Sequence, residues 1–335
     1  MARVKLAIDF DSSFTCIYMS ENGIILKEPT VAAVDEAKNG EVKAIGLEAK
    51  KMMGKTSKTT KIVFPIFEGE VVNEKVATSV LSGFLKKIGI KNTLIGAEAV
   101  FPVPCGATAS MLEKYKNVAN KSGLGKVYFI ETPYLSALGQ RIPFNESAPC
   151  FIIDMAGGVT NIAALSLDGI IAGVSVNMGA NKICADIIDF IAERYSLQIG
   201  LLTAERLRDE IGSLDEYDGL STVVNGRDLR TGSPTSMTIK ACDIIEPVKI
   251  YFDKIAEIAL SVLHKLPPEV SAEIRHAGIY VSGIASNIYD LEKFYKQKFG
   301  INVKVSENAD VVVALGGGIA QADKEILKKI ALKVK

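Results

Sequence analysis

The sequence has no tryptophan, only 2 histidines in 335 residues, and no excess of charge of either sign, its 39 basic side chains being matched by 39 acidic ones. His264 and His276 are isolated, and the five cysteines (Cys16, Cys105, Cys150, Cys184, Cys242) form no C-x-x-C pair, which argues against a His/Cys metal site. The cysteines sit among apolar or small residues and read as buried, reduced thiols. The charge balance argues against a nucleic-acid partner, which calls for a basic excess. No apolar run approaches the ~20 residues that cross a bilayer. Met1–Lys5 runs into a predicted strand without the apolar segment of an export signal. The expectation is an intracellular, cytoplasmic protein, with attachment to a membrane surface left open. Apolar residues, at 48%, are abundant enough to fill two ordinary domain cores in a chain of this length.

What the chain does have is a repeated paragraph. Near its start it reads Ala7-Ile8-Asp9-Phe10-Asp11-Ser12-Ser13-Phe14-Thr15-Cys16, with Gly23-Ile24-Ile25 soon after; near its middle it reads Ile152-Ile153-Asp154-Met155-Ala156-Gly157-Gly158-Val159-Thr160-Asn161, with Gly169-Ile170-Ile171 soon after. Each copy is an apolar run ending in Asp, a turn of mostly small residues, a Thr six residues past the Asp and a second apolar run. One duplication of this kind predicts two halves of the same fold gripping something between them.

The rest of the chain follows the same plan twice: strand, strand, strand, helix, strand, helix. Alternating strands and helices predict an α/β fold. The polar stretch Lys27–Lys61 reads as a small inserted subdomain, with a helix over Leu47–Met53. Later, Asn225-Gly226 reads as a tight turn, Asp243–Leu266 as a long helix stopped by Pro267-Pro268, and Gly316-Gly317-Gly318 as a glycine turn before a C-terminal helix.

Two opposed hairpins with small residues at their tips can offer backbone N–H groups to an anion. An Asp at each base, Asp9 and Asp154, can hold Mg2+ through its water shell. Ser12, Ser13, Thr15 and Thr160 add hydroxyl donors. Two further glycine turns, Ser282-Gly283 and Gly316–Gly318, would let backbone lie close to a base or ribose. Alone, such a hairpin is ordinary. Two copies in register, with glycine turns at matching stages, read as a nucleotide site built from turns.

These motifs resemble the phosphate, connecting and adenosine motifs of the MreB family of bacterial actin homologues, in their expected order. Glu28-Pro29-Thr30-Val31-Ala32-Ala33-Val34, Val103-Pro104-Cys105-Gly106 and Gly226-Arg227-Asp228-Leu229-Arg230-Thr231-Gly232 also read like this family. The resemblance covers essentially the whole chain. It implies an actin-like ATPase fold of duplicated ribonuclease-H-like domains, with lobe I at 1–140 plus 312–335 (small subdomain about 30–68) and lobe II at 141–311 (small subdomain about 180–245). It implies ATP or ADP in the interlobe cleft and polymerisation with other copies of the chain. It further implies attachment to the inner face of the cell membrane and work with cell-wall synthesis proteins. The positions it marks for the nucleotide are Asp9, Asp11, Ser12, Ser13, Thr15, Ala156, Gly157, Gly158, Thr160, Gly179, Asn181, Ser282, Gly283, Ile284, Gly316 and Gly317, with Asp9 and Asp154 for Mg2+.

The sequence departs from the family where chemistry would occur. The first loop carries Asp11 where the family has Gly. Two negative charges about 4 Å apart repel by roughly 4 kcal/mol at an effective dielectric of about 20, unless a metal reverses the sign. The second loop has Ala156 and Val159 in place of Gly and Thr, and Gly179-Ala180-Asn181-Lys182 lacks the acidic residues of the first connecting motif. Most tellingly, the family's water-orienting Glu before Pro is here Thr132, in Ile130-Glu131-Thr132-Pro133. A hydroxyl is a poor base, and Glu131 and Thr132, as neighbours, point apart. Hydrolysis is expected to be weak or absent, with nucleotide binding left open. The runner-up is a non-hydrolysing scaffold co-assembling with an active MreB paralogue. A chaperone or sugar kinase of the same superfamily is disfavoured by the family-like segments outside the site. Leu85-Lys86-Lys87-Ile88-Gly89-Ile90-Lys91 and Leu94-Ile95 read either as a membrane-contacting loop or as a helix end followed by a core strand.

Overall fold

The computed structural model describes residues 3–90, 96–143 and 148–333. The opening meander is β1 (Lys5–Phe10), β2 (Phe14–Met19) and β3 (Gly23–Pro29). A small sheet follows, made of β4 (Ala32–Asp35), β5 (Glu41–Ile45) and β6 (Thr60–Val63), with α1 (Gly46–Met52) beside it. A short hairpin, β7 (Ile66–Phe67) and β8 (Glu70–Val71), leads to α2 (Glu74–Lys87), β9 (Ala97–Val103), α3 (Ala109–Lys121), β10 (Leu124–Glu131) and α4 (Thr132–Gly139). Helix α2 begins where Asn73 accepts the Val76 N–H, a side-chain cap of the usual kind, and buries Val76, Val80 and Phe84 at helical spacing.

The second half repeats the order. It has β11 (Cys150–Met155), β12 (Thr160–Ser166), β13 (Gly169–Val176), α5 (Ala180–Tyr195), β14 (Leu197–Gln198), α6 (Leu201–Ile211), β15 (Ser221–Asp228) and β16 (Pro234–Lys240). Then come α7 (Ala241–Leu263), α8 (Pro268–Ala277), β17 (Ile279–Ser282), α9 (Leu291–Phe299) and β18 (Val303–Val305), and last α10 (Val312–Ala322) and α11 (Lys324–Ile330).

The two large sheets are the same object built twice. One runs β10-β9-β1-β2-β3 and the other β18-β17-β11-β12-β13. In each, the meander pairs antiparallel and the two later strands join in parallel. Along β1, Leu6, Ile8 and Phe10 enter the first core while Ala7 enters the layer between the sheets, as period-two alternation requires. β11 and β12 are buried along their whole length, which accounts for their near-continuous apolar composition.

Between the sheets lie α4 and α10, packed with Ala7, Val100, Ile152 and Ala163. Here the structure corrects a sequence expectation: Gly316-Gly317-Gly318 is not a turn but the middle of α10. A Cβ at Gly316 would run into the Leu135 carbonyl of α4, and one at Gly317 would lie 2.6 Å from Ala7 Cβ. These glycines are there so that helix, helix and sheet can touch. Asn225-Gly226 likewise lies inside β15, where a Cβ at Gly226 would lie 2.6 Å from Gln198 O. The turn falls later, where Asp228 accepts the N–H groups of Arg230 and Thr231.

Candidate functional site

The duplicated hairpins meet. Each tip is closed by one backbone bond across four residues, Asp11 N to Phe14 O at 3.2 Å and Ala156 N to Val159 O at 2.9 Å. In the second tip the carbonyls turn away from the first: Ala156 O accepts from Ala180 N at 3.0 Å and Gly157 O from Asn181 N at 2.9 Å, both at the start of α5. Gly179 sits just before that helix, where a Cβ would lie 2.7 Å from Ala156 O. The N–H of Gly157 is thereby left facing the first hairpin, and it donates to Asp11 Oδ2 at 2.8 Å. Ser13 Oγ donates to Asn181 Oδ1 at 2.9 Å alongside it.

Asp9, Asp11, Thr132, Asp154, Ala156, Asn161, Gly283 and Ile284 border one cavity of about 40 Å3. Its carboxyls are strained electrostatically. Burial pushes Asp9 well above the usual range, with Asp11 and Asp154 adding repulsion. Burial pushes Asp154 up to about 6, with the Ser282 hydroxyl and Asn161 pulling it back and Asp11 adding to the rise. Burial raises Asp11 too, while the N–H groups of Ser12, Gly157, Ser13 and Gly158 lower it. Asp154 Oδ1 accepts from Ser282 Oγ at 2.7 Å, which in turn contacts Ser136 Oγ at 2.7 Å. Asp154 Oδ2 and Ser12 Oγ are buried without a protein partner. Gly283 takes φ +89° and packs on the Met155 backbone, a position no side chain could share.

Several expected site residues have other work. Thr15 is buried against Thr30, with their hydroxyls 2.9 Å apart, and Thr160 donates to Met178 O at 2.5 Å, so neither hydroxyl is offered to the cavity. Gly316 and Gly317 do not border it either, for the packing reason given above. Thr132 does border it, but its hydroxyl is donated to Val103 O at 3.0 Å. Glu131 Oε1 accepts from Gly106 N at 2.7 Å and lies off the cavity lining. Ile88 and Ile90 are half-buried against the first core; Lys91, Leu94 and Ile95 of the suggested membrane loop lie outside the described residues.

The sequence reasoning missed a second, larger cavity of about 210 Å3, bordered by Phe14, Lys27, Lys50, Glu205, Arg208 and Ile284 among others. Phe14 and Ile284 border both cavities and pack in one cluster. The available signal was position: Phe14 follows the first tip directly, and Ile284 follows Gly283. Nothing in the sequence tied Lys50 or Arg208 to them.

Two sheets of one topology, with their hairpin tips apposed over buried aspartates, define an actin-like protein. Solved structures share this fold: MreB5 of Spiroplasma citri bound to AMPPNP aligns with a TM-score of 0.91 at 28% identity, covering 98% of both chains. A MamK double helical filament aligns at 0.79 with 19% identity, covering 96% of this chain and 99% of that one. The family model for MreB/Mbl protein matches residues 3–329. The cell shape-determining protein MreB of Escherichia coli K12 is 31% identical over 320 residues, 94% of this chain and 92% of that protein. Mbl of Bacillus subtilis 168 is 28% identical over 97% of each. The chain belongs to the MreB/Mbl family of cell shape-determining, actin-like proteins. Among the described residues, no helix is long and apolar enough to cross a membrane.

Proposed function

We propose that this chain is a filament subunit of the cell-shape machinery that holds a nucleotide between its two lobes and hydrolyses it weakly or not at all. The lobes are 1–140 with 312–335, and 141–311. The observation that carries the reading is Thr132. It stands where the resemblance puts the water-orienting glutamate, and its proton is already given to Val103 O. A hydroxyl so engaged supplies no base, and Glu131 is tied to Gly106 instead.

Relatives of known structure support a nucleotide, since MreB5 of Spiroplasma citri was crystallised with AMPPNP and with ADP. The residues fit part of such a ligand. Asp9 with the unpaired Asp154 Oδ2 suits a hard cation such as Mg2+ through its water shell, and the cavity beside Lys50, Glu205 and Arg208 suits the nucleoside. One N–H at the hairpin tips, that of Gly157, is already taken by Asp11. Family membership supports self-assembly, a place at the inner face of the membrane and contact with cell-wall synthesis proteins.

The Asp11 contact also favours a second reading, a non-hydrolysing scaffold that co-assembles with an active MreB paralogue. Negative-stain microscopy of the concentrated protein, with and without magnesium ATP and then with such a paralogue, separates the two. Filaments of the chain alone support the first, filaments only with the paralogue support the second, and no incorporation under any condition sinks both.

A further inference from the structure

The first hairpin carries a carboxylate into the donor set of the second. Asp11 Oδ2 accepts from Gly157 N at 2.8 Å across 146 residues of chain, and Ser13 N lies 3.5 Å from the same oxygen. Converging N–H groups of successive turn residues are what proteins use to hold phosphate; here the anion they hold belongs to the chain. The fit is close. A Cβ at Gly157 would collide with Asp11 and Ser13, and one at Gly158 would collide with Ser12. The cavity beside them, about 40 Å3, is on the scale of a few waters.

We propose that Asp11 is the specificity-determining residue of this cleft. Its carboxylate occupies the anion cradle between the hairpin tips, so the cleft accepts a nucleoside diphosphate, refuses the terminal phosphoryl group of a triphosphate, and keeps its hairpins joined with no ligand at all. The preference for a diphosphate rests on the nucleotide-holding function proposed above; the joining of the hairpins does not. A third phosphoryl group would have to displace the carboxylate from its N–H donors and then lie against its charge. A diphosphate need do neither.

The test uses the full chain and two variants, Asp11→Gly and Asp11→Asn. Calorimetry with magnesium ADP and magnesium ATP reads the preference, and hydrogen exchange at Gly157 and Gly158 in nucleotide-free protein reads the latch. Wild type is expected to bind ADP at least about tenfold more tightly than ATP, and Asp11→Gly to erase that ratio, a change in line with losing one charged hydrogen bond. Exchange at Gly157 is expected to rise about tenfold in Asp11→Gly by the same reasoning. Asp11→Asn keeps an acceptor oxygen and loses the charge. Its exchange should stay near that of wild type while its ATP affinity rises, which separates the effect from misfolding. Equal affinities for ADP and ATP in wild type, or unchanged exchange in Asp11→Gly, would overturn the proposal. If neither protein binds either nucleotide, the nucleotide-holding function fails and the preference with it, whereas accelerated exchange at Gly157 still upholds the latch.

Discussion

Lys50 Nζ lies 2.6 Å from Glu205 Oε2, tying α1 of the first half to α6 of the second beside the larger cavity. Both side chains are partly shielded, so the pair belongs at the upper end of what surface ion pairs contribute. A double-mutant cycle of Lys50→Ala and Glu205→Ala is expected to give a coupling of about 0.5–1 kcal/mol in chemical denaturation, shrinking in high salt. A coupling of zero at low salt would show that the two halves are not held at this point.

Thr132→Ala removes the hydroxyl that Val103 O accepts in a buried setting. The expected cost is about 1 kcal/mol of stability. Phosphate release should not change, because the hydroxyl is already given to Val103 O. Thr132→Glu alone should not create turnover either, since Asp11 still fills the cradle. Stability from denaturant midpoints and release from a phosphate assay check the two halves of this expectation.

Gly316→Ala tests whether the glycine run serves helix packing and not a ligand. The new methyl would press on the Leu135 carbonyl of a neighbouring helix, and backbone gives way poorly. A loss of about 2–3 kcal/mol is expected, as for overpacked cores. The loss should be equal with and without nucleotide in a thermal-shift series. A loss seen only with nucleotide would return Gly316 to the site.

Asp154 gives a pH dependence of definite sign. Burial lifts its folded-state pKa to about 6, above the ordinary carboxylate range near 4. The folded chain therefore holds this proton at pH values where the unfolded chain has lost it. The stability that follows is complete below about pH 4 and is lost as the pH rises through about 6, by up to about 3 kcal/mol. Burial raises Asp9 and Asp11 as well, in the same sense. Asp154→Asn, which keeps an acceptor for Ser282, should flatten this slope in melting curves taken from pH 4.5 to 7.5.

Much of the architecture was legible because it follows from periodicity and repetition. The Asp9 and Asp154 copies announced two equal hairpins, and the strands around them alternate or run apolar as their burial demands. Thr132 before Pro133 was visible as a departure from the Glu-Pro pair that the resemblance calls for. What stayed hidden was direction. Glycines at 316 and 317 look the same in sequence whether they spare room for a ligand or for a helix, and only the crossing of α4 and α10 decides. Asn225-Gly226 resembles a turn, yet the close approach of β14 needs the glycine in mid-strand. Asp11 was legible as a carboxylate where the resemblance has a glycine. That its carboxylate reaches the Gly157 N–H depends on how far apart the two tips stand, which no local pattern encodes.

Phosphate release by the purified chain in magnesium ATP, at concentrations where microscopy shows filaments, decides whether the cleft turns a nucleotide over. With Thr132 bonded to Val103 and Asp11 lodged at Gly157, release should stay at or close to the background of a protein-free control while filaments persist. Sustained turnover at the rate of an active family member run in parallel, from the wild-type chain alone, would show that these two contacts do not silence the cleft.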